Sequence, residues 1–479
     1  MILPSEIPLI ILGVPVHAVT NTQALEACLR HLKRGKPGYV ATPNLDFVMQ
    51  AGRDPELHRI LSQADLVIAD GMPLVWLSRD LGPALPERVA GSDLVLTLAE
   101  AAARESYRVF HLGGAPGVPE VLKNRYPGFQ LAGAFSPPKA DLLDMNHGEI
   151  LTRLRETSPD ILYVAFGAPK QEKWINMHYR DWQVGLALGI GGSLDFLAGT
   201  QKRAPKWMQK TGTEWIWRLG TDPKRLWKRY GSNLLFLFQA RRSVKRILSH
   251  PEDPQPATLP PTAYQDQVLC RPWQPCPVPD AAAKWINTLR ETPQPAPLLL
   301  DLSACTALNS LELGTLLTLS RDRPLLLTGV SGRLRAWLDF NIISPGCTYV
   351  DAQTDWAHLL ADLAPKATRV ESTATTLRIS FPKELTAANL ETWRSEITPL
   401  LDARGPEITD IILDAASLKF LDSAGLGFLM GLKQKLAQQN TRLQLESLTG
   451  PPLTTLKLAR VEKILLSNES PNPSAAKRS

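Results

Sequence analysis

At 479 residues the chain exceeds what one compact core holds and is expected to divide into two to four domains. Its five cysteines (Cys28, Cys270, Cys276, Cys305 and Cys347) are scattered without a CxxC pair, which excludes a disulfide framework and a structural zinc site and points to a reducing compartment. The net charge of +6 is uneven: Gln201 to Arg246 hold thirteen Lys or Arg against Glu214 and Asp222, so this segment alone is +11 and everything else sums to −5.

The N-terminal stretch MILPSEIPLIILGVPV is apolar but lacks a basic start and is broken by Pro4, Pro8 and Pro15, so it reads as a first strand, not a signal peptide. No apolar run reaches the roughly 20 residues that span a bilayer. The first 200 residues alternate short apolar runs with helical patterns. Strands are expected at Leu9 to Leu12, Gly38 to Ala41, Leu66 to Ala69, Val109 to Leu112, Ile161 to Ala165 and Val184 to Leu188, with helices such as Ser92 to Glu105 and Val118 to Arg125 between them. This alternation predicts an α/β, doubly wound, Rossmann-like parallel sheet, in which ligands sit off the carboxyl ends of the strands.

Four strand-end loops therefore carry the candidate chemistry. In TPNLDF, Thr42 and Asn44 offer short polar side chains that also suit a helix N-cap. In VIADGMP, Asp70 closes a buried strand and is either a turn former or a working carboxylate. In HLGGAPGVPE, Gly113 and Gly114 allow a phosphate to approach the backbone at a helix start, although the loop is no full GxGxxG. In AFGAPKQEKW, Lys170 and Gln171 open a helix and read either as site groups or as solvated first-turn side chains. No DxD pair, GxSxG elbow, HExxH motif or His/Cys ligand spacing occurs, so no metal is expected.

The basic segment interleaves its cations with Trp207, Trp215, Trp217, Trp227, Tyr230, Phe236 and Phe238, and helical spacing brings Arg218, Arg225 and Arg229 near one face. Such a pattern suits a helix lying on an anionic membrane surface, where each basic residue gains about 1 kcal/mol. A solvated basic face over core tryptophans is the plainer reading, and nucleic-acid binding fits the charge but lacks any recognition motif. A Pro-rich linker, SHPEDPQPATLPP, follows, and beyond it lies an internal repeat. DLSACTALNSLELGTLLTL from Asp301 aligns without a gap on DAASLKFLDSAGLGFLMGL from Asp414, matching Ser310 to Ser423 and Gly314 to Gly427. Each copy reads as a strand, a loop, a helix opening at the shared serine and a second strand, so two copies of one small domain are expected.

Taken in order, TPNLDF, VIADGMPLVW, ERVAGSDL, VFHLGGAPGV, FGAPKQEKW and GIGGSLDFLAGTQKRAPKWMQKTGTEWIWRL resemble the WecG/TagA/CpsF glycosyltransferase family, over roughly residues 10 to 240. The resemblance implies an inverting transfer of a sugar, typically of the N-acetylmannosamine type, from a UDP donor to a membrane polyprenyl-diphosphate-linked sugar, in cell-surface polysaccharide synthesis. It implies Asp70 as general base, Thr42, Asn44 and Gln171 as pocket residues, and Arg88 at the leaving diphosphate, with Arg79 close enough to substitute. Arg218, Arg225 and Arg229 match appendage arginines facing the membrane or the acceptor diphosphate. LDSAGLGFL, Leu421 to Leu429, resembles STAS domains of the anti-sigma-factor antagonist type, which makes Ser423 the candidate phosphorylation site and a kinase a candidate partner; Asp422 and Ser423 also read as a simple helix cap. The first copy departs from that pattern with Asn309 and Glu312 and is expected to be a diverged STAS-like domain.

The expected organisation is a transferase core at 1–200, the basic aromatic appendage at 201–248, a linker at 249–262, the diverged STAS-like copy at 263–365, a STAS domain at 370–470 and a tail at 471–479. Expected partners are a UDP-sugar, a polyprenyl-diphosphate-linked acceptor and an anionic membrane surface, with no nucleic acid and no cofactor, at the inner face of the cell membrane on the cytoplasmic side. The rival reading is an inactive transferase fold serving as a STAS-based scaffold.

Overall fold

The computed structural model describes residues 1–114, 117–180, 182–191, 205, 208, 217, 220, 223–250, 256–292, 296–343, 346–364 and 368–466. The chain opens with an antiparallel hairpin, β1 (Pro8–Ile11) and β2 (Val14–His17), turned by Leu12 and Gly13, both at positive φ. The expected first strand is thus not part of the main sheet. A two-residue turn with φ above zero at both positions is the type that matches strand twist, and Leu12 is not a residue that announces it.

The sheet proper is built from β3 (Gly38–Ala41), β4 (Leu66–Val67), β5 (Arg108–Gly113), β6 (Gln130–Phe135), β7 (Ile161–Ala165) and β8 (Leu186–Gly189), all parallel, in the order β4-β3-β8-β7-β5-β6. Strand β6 was not expected. Between the strands run α1 (Asn21–Arg34), α2 (Leu45–Ala51), α3 (Pro55–Gln63), α4 (Met72–Leu81), α5 (Gly91–Glu105), α6 (Val118–Arg125), α7 (His147–Thr157) and α8 (Lys170–His178). Successive strand residues enter opposite cores, as a pleated strand requires. Val40, Val109, Ile161, Tyr163 and Leu188 pack with α1, α5 and α6, whereas Tyr39, Phe110, Leu112, Leu162 and Val164 pack with α2, α3, α4, α7 and α8. Both faces are covered by helices, which makes the sheet doubly wound.

The appendage forms α9 (Pro223–Leu248), whose inner residues Ala240 and Val244 are buried and whose Arg241 pairs with Asp80 of α4 at 2.8 Å. Among the described residues, no helix is long and apolar enough to cross a membrane.

The first C-terminal module is a parallel sheet of β9 (Leu269–Pro272), β10 (Leu298–Asp301), β11 (Leu325–Thr328) and β12 (Cys347–Tyr349), with helices α10 (Pro279–Arg290), α11 (Ser310–Asp322), α12 (Gly332–Phe340) and α13 (Trp356–Leu363). The second has β13 (Val370–Ser372) antiparallel to β14 (Thr376–Ser380), then β16 (Asp410–Asp414) and β18 (Arg442–Glu446) parallel to it, and a short β15–β17 pair, Glu384–Leu385 with Phe420–Leu421. Its helices are α14 (Leu390–Asp402), α15 (Ser423–Gln438), α16 (Gly450–Leu458) and α17 (Glu462–Leu466). The aligned strands and the helices opening at Ser310 and Ser423 occupy the same places in both modules.

The modules differ in their cores. Leu298, Leu300, Leu311 and Leu316 of the first belong to one continuous core with the transferase, while the second keeps its own, around Ile379, Ile397, Leu413 and Leu429.

Candidate functional site

Three chain segments meet where β3 and β4 end. The amide of Ile68 donates to the carbonyl of Ala41 at 3.0 Å, that of Asp70 to Pro43 at 2.9 Å, and that of Val89 to Ala69 at 3.2 Å. The strand containing Asp70 is therefore held between the Thr42–Asn44 loop and the segment carrying Arg88. Asp70 is half-buried there, just before α4, and Arg88 is half-buried beside it, whereas Arg79 is exposed along α4. Arg88 is thus the more enclosed of the two arginines. Thr42 packs on the start of α5, so closely that a Cβ on Gly91 would fall 3.1 Å from its Cγ2. Asn44 is the N-cap of α2, its Oδ1 accepting from the amides of Asp46 and Phe47 at 3.0 and 3.3 Å. The cap occupies the oxygen, and the N-cap role read from the sequence is the one the structure shows.

Near the ends of β7 and β8, Gln171 is buried and turned into the protein. Its Oε1 accepts from the amides of Gly167, at the end of β7, and Gly191, at the end of β8, at 3.1 and 3.0 Å. Its Nε2 donates to Glu172 Oε1 at 2.8 Å. One carboxamide thus ties two strand-end loops together. The arrangement depends on Gly189, where a Cβ would lie 2.7 Å from both Gln171 Nε2 and Glu172 Oε1. Glu172 is fully enclosed, and burial pushes its carboxyl up to about 7, against the pull of the Gln171 hydrogen bond. Beside Lys170 and Lys173 it reads in the sequence as a solvated helix charge, so pattern alone does not single it out. Lys170 donates to the carbonyl of Ala140, in the segment after β6.

Gly113 and Gly114 both adopt φ near +80° and press against the end of β7, where a Cβ on Gly113 would lie 3.0 Å from the Ala165 carbonyl oxygen. Under this loop His111 is buried and held neutral, its ring pushed down to about 4 by burial, with no hydrogen-bond partner at Nε2 among the described residues. Of the appendage arginines, Arg218 lies outside the described residues, and Arg225 and Arg229 are placed on α9 by the backbone alone. Ser423 opens α15 and faces the transferase, its amide and Oγ both donating to Glu56.

Residues 9–249, just over half of the chain, match the family described as Glycosyl transferase WecG/TagA/CpsF. The chain belongs to that family. As a WecG/TagA/CpsF protein it is a glycosyltransferase. Two relatives carry the name N-acetylglucosaminyldiphosphoundecaprenol N-acetyl-beta-D-mannosaminyltransferase. The one from Bacillus spizizenii is 32% identical over 203 residues, 42% of this chain and 77% of the relative. The one from Staphylococcus aureus (strain NCTC 8325 / PS 47) is 30% identical over 216 residues, 44% of this chain and 82% of the relative. Residues 366–473 match the STAS domain, so the glycosyltransferase is fused to a STAS module. A solved structure of the anti-sigma factor antagonist SpoIIAA aligns with 23% of this chain and 92% of its own at 22% identity, with a TM-score of 0.19.

Proposed function

We propose that this glycosyltransferase moves an N-acetylmannosamine-type sugar from a UDP donor to a polyprenyl-diphosphate-linked N-acetylglucosamine at the inner face of the cell membrane, as the names of its relatives suggest for the acceptor. The observation that carries the reading is the backbone ladder that gathers Asp70, Thr42, Asn44 and Arg88 at one sheet edge. In this reading the Asp70 carboxylate takes the proton of the acceptor hydroxyl, a contribution of about 10² to 10⁴ in rate. The freed oxygen bonds to the anomeric carbon of the donor while the bond to UDP breaks. Its electron pair leaves on the diphosphate, where Arg88 stabilises the developing charge and the Gly113–Gly114 backbone accommodates phosphate oxygens. Thr42 and Asn44 orient the sugars. No metal and no cofactor enters the scheme.

Membrane attachment falls to α9. Trp227, Leu234, Leu235 and Phe238 are 71%, 71%, 58% and 67% exposed, at helical spacing, on the side away from Ala240 and Val244. An apolar stripe of that size flanked by Arg and Lys suits the headgroup boundary of an anionic bilayer. Arg218, Arg225 and Arg229 would then meet lipid or acceptor phosphate. The C-terminal modules serve regulation or docking, the first as a diverged STAS-like copy, with Ser423 a phosphorylation site for a partner kinase when its face is open.

The test is UDP release by the purified full chain with a panel of UDP-sugars and a lipid-diphosphate-N-acetylglucosamine acceptor. Transfer by the wild type and its loss in Asp70→Asn, with the fold and UDP affinity kept, are the expected results. Wild-type rates in Asp70→Asn would remove the general base from the scheme.

A further inference from the structure

Both C-terminal modules meet the transferase with the same face, the helix that opens at the shared serine, but through different chemistry. In the first, Ser310 is fully buried against Gly82, and Gly314 lies so close to β1 that a Cβ would overlap the Pro8 carbonyl oxygen. That contact shares the transferase core, and Arg321 of the same helix adds a hydrogen bond to the Ser62 carbonyl. In the second the contact centres on a polar seam, with Leu143 of the transferase packed beside it. Ser423 donates its amide to Glu56 Oε1 at 2.6 Å and its hydroxyl to Oε2 at 2.8 Å. The buried Glu56 is in turn paired with Lys173 at 2.8 Å, and Lys173 with Asp54 at 2.7 Å. Beside this network Arg59 of α3 forms a two-pronged pair with Glu384 at 2.8 and 2.6 Å and lies 4.4 Å above the Phe420 ring.

The seam reaches the site through one short helix. Lys173 sits on α8 two residues beyond Gln171, whose oxygen holds the Gly167 and Gly191 loops. A buried cation with two carboxylate partners fixes its helix only while the carboxylates are themselves held. Glu56 takes two of its hydrogen bonds from the C-terminal module. When those are withdrawn, Glu56 opens to water and its pairing with Lys173 weakens, because screening replaces a closed, low-dielectric contact.

We propose that Glu56 and Lys173 are positioning residues of the transferase, seated by Ser423 of the second C-terminal module, so that docking of that module sets the placement of α8 and of the two loops Gln171 ties. The inference rests on the reading that these loops border the substrate crevice. The module's separate core lets it lift off as a unit, which the first module's shared core forbids.

The experiment uses the full chain in three forms besides wild type. Ser423→Asp sets a carboxylate against Glu56 while still suiting a helix start. Arg59→Glu opposes Glu384, and the double exchange Arg59→Glu with Glu384→Arg restores an opposite-charge pair. Hydrogen exchange over 165–178 and 189–191 and over 384–390 and 420–427 reads loop fixation and docking; sugar transfer is measured on the same samples. Expected are faster exchange in both regions and a fall in kcat of about fivefold or more for the two single variants, with both readouts returning in the double exchange. Undocking with unchanged loop exchange and kcat would overturn the inference, as would single variants that stay docked. Absence of transfer in wild type would instead fail the proposed reaction, and the exchange data would still judge the seam.

Discussion

Truncating Gln171 to Ala separates a positioning role from direct substrate contact. The change leaves the Gly167 and Gly191 amides without their acceptor and Glu172 Oε1 without its donor. A buried polar group that loses its partner costs about 1–3 kcal/mol. Both glycines are half-exposed, so water replaces part of what is lost and the low end applies. At about 1 kcal/mol for each of the two amides, the expected destabilisation is about 2 kcal/mol in thermal or denaturant unfolding. Removing the donor also takes away a hydrogen bond that holds the Glu172 carboxyl down, so its titration moves further up. The two loops, no longer tied, exchange their amide hydrogens faster, and transfer falls through kcat more than through donor KM, since misplaced loops lose alignment in the transition state. Gln171→Glu keeps both loop acceptors but sets a second carboxyl within hydrogen-bond distance of Glu172. Two such carboxyls share one proton, so this variant is expected to hold the loops at acidic pH and release them at alkaline pH. An alanine variant with wild-type stability and loop exchange but weakened donor binding would refute the positioning role and make Gln171 a ligand of the sugar nucleotide.

Other consequences follow from the same geometry. Because Glu172 is raised from 4.5 to about 7 by burial, its contribution to stability is present below its unfolded pKa and is lost as pH rises through about 7. Glu172→Gln should therefore match wild type near pH 4.5 and exceed it by up to about 3 kcal/mol above pH 7, read as melting temperature across that range; equal profiles would contradict the enclosed carboxyl. Gly189→Ala drives a methyl into Gln171 and Glu172 and should cost about 1–3 kcal/mol, checked by denaturant unfolding. Asp422 is raised to about 6 by burial and by Glu56, so its share of docking is full at low pH and fades as pH rises through about 6. Intrinsic-rate-corrected exchange at 420–427 should show that fading in wild type and not in Asp422→Asn. Leu234→Glu with Phe238→Glu, both outward on α9, should leave the melting temperature within about 0.5 kcal/mol equivalent and abolish sedimentation with anionic vesicles; unchanged sedimentation would detach α9 from the membrane role.

Much of the architecture is legible in the sequence because parallel strands buried on both faces are continuous apolar runs. Gly38 to Ala41 and Ile161 to Ala165 coincide with β3 and β7 residue for residue. Strand β6 escapes because Gln130–Phe135 lies at an edge, is only partly buried and contains Gly133. The hairpin at the N-terminus escapes because its turn is made by Leu12. The repeat is legible because each helix start keeps its serine and its capping neighbour in register. Gln171 appears in the sequence as a site candidate, and the structure gives it a buried place behind the loops. What local pattern does not encode is the partner of an ionisable group. Glu56 reads as an ordinary first-turn acid next to its N-cap Asp54, and only the fold brings Ser423, 367 positions away, onto it.

The departures of the first repeat from the second acquire a physical sense from these contacts. Asn309 caps α11 through the amides of Leu311 and Glu312, and Glu312 returns a bond to the Asn309 amide at 2.9 Å and accepts from Cys276 at 3.2 Å. All of this lies against Gly82 inside a core shared with the transferase. A carboxylate at position 309 would stand beside the Glu312 carboxylate that already accepts from the residue-309 amide, whereas the neutral side-chain amide caps the helix without that like-charge contact. In the second repeat the acid is kept, and it faces Glu56 across a seam whose nearby cation is Lys173. Glu56 and Asp54 share Lys173, and Asp422 lies against Glu56, so this acid-rich seam is eased by the amide and hydroxyl that Ser423 donates. The same repeat is thus fitted once to a contact inside the transferase core and once to a polar seam, which on the docking proposal an added negative charge at Ser423 would separate.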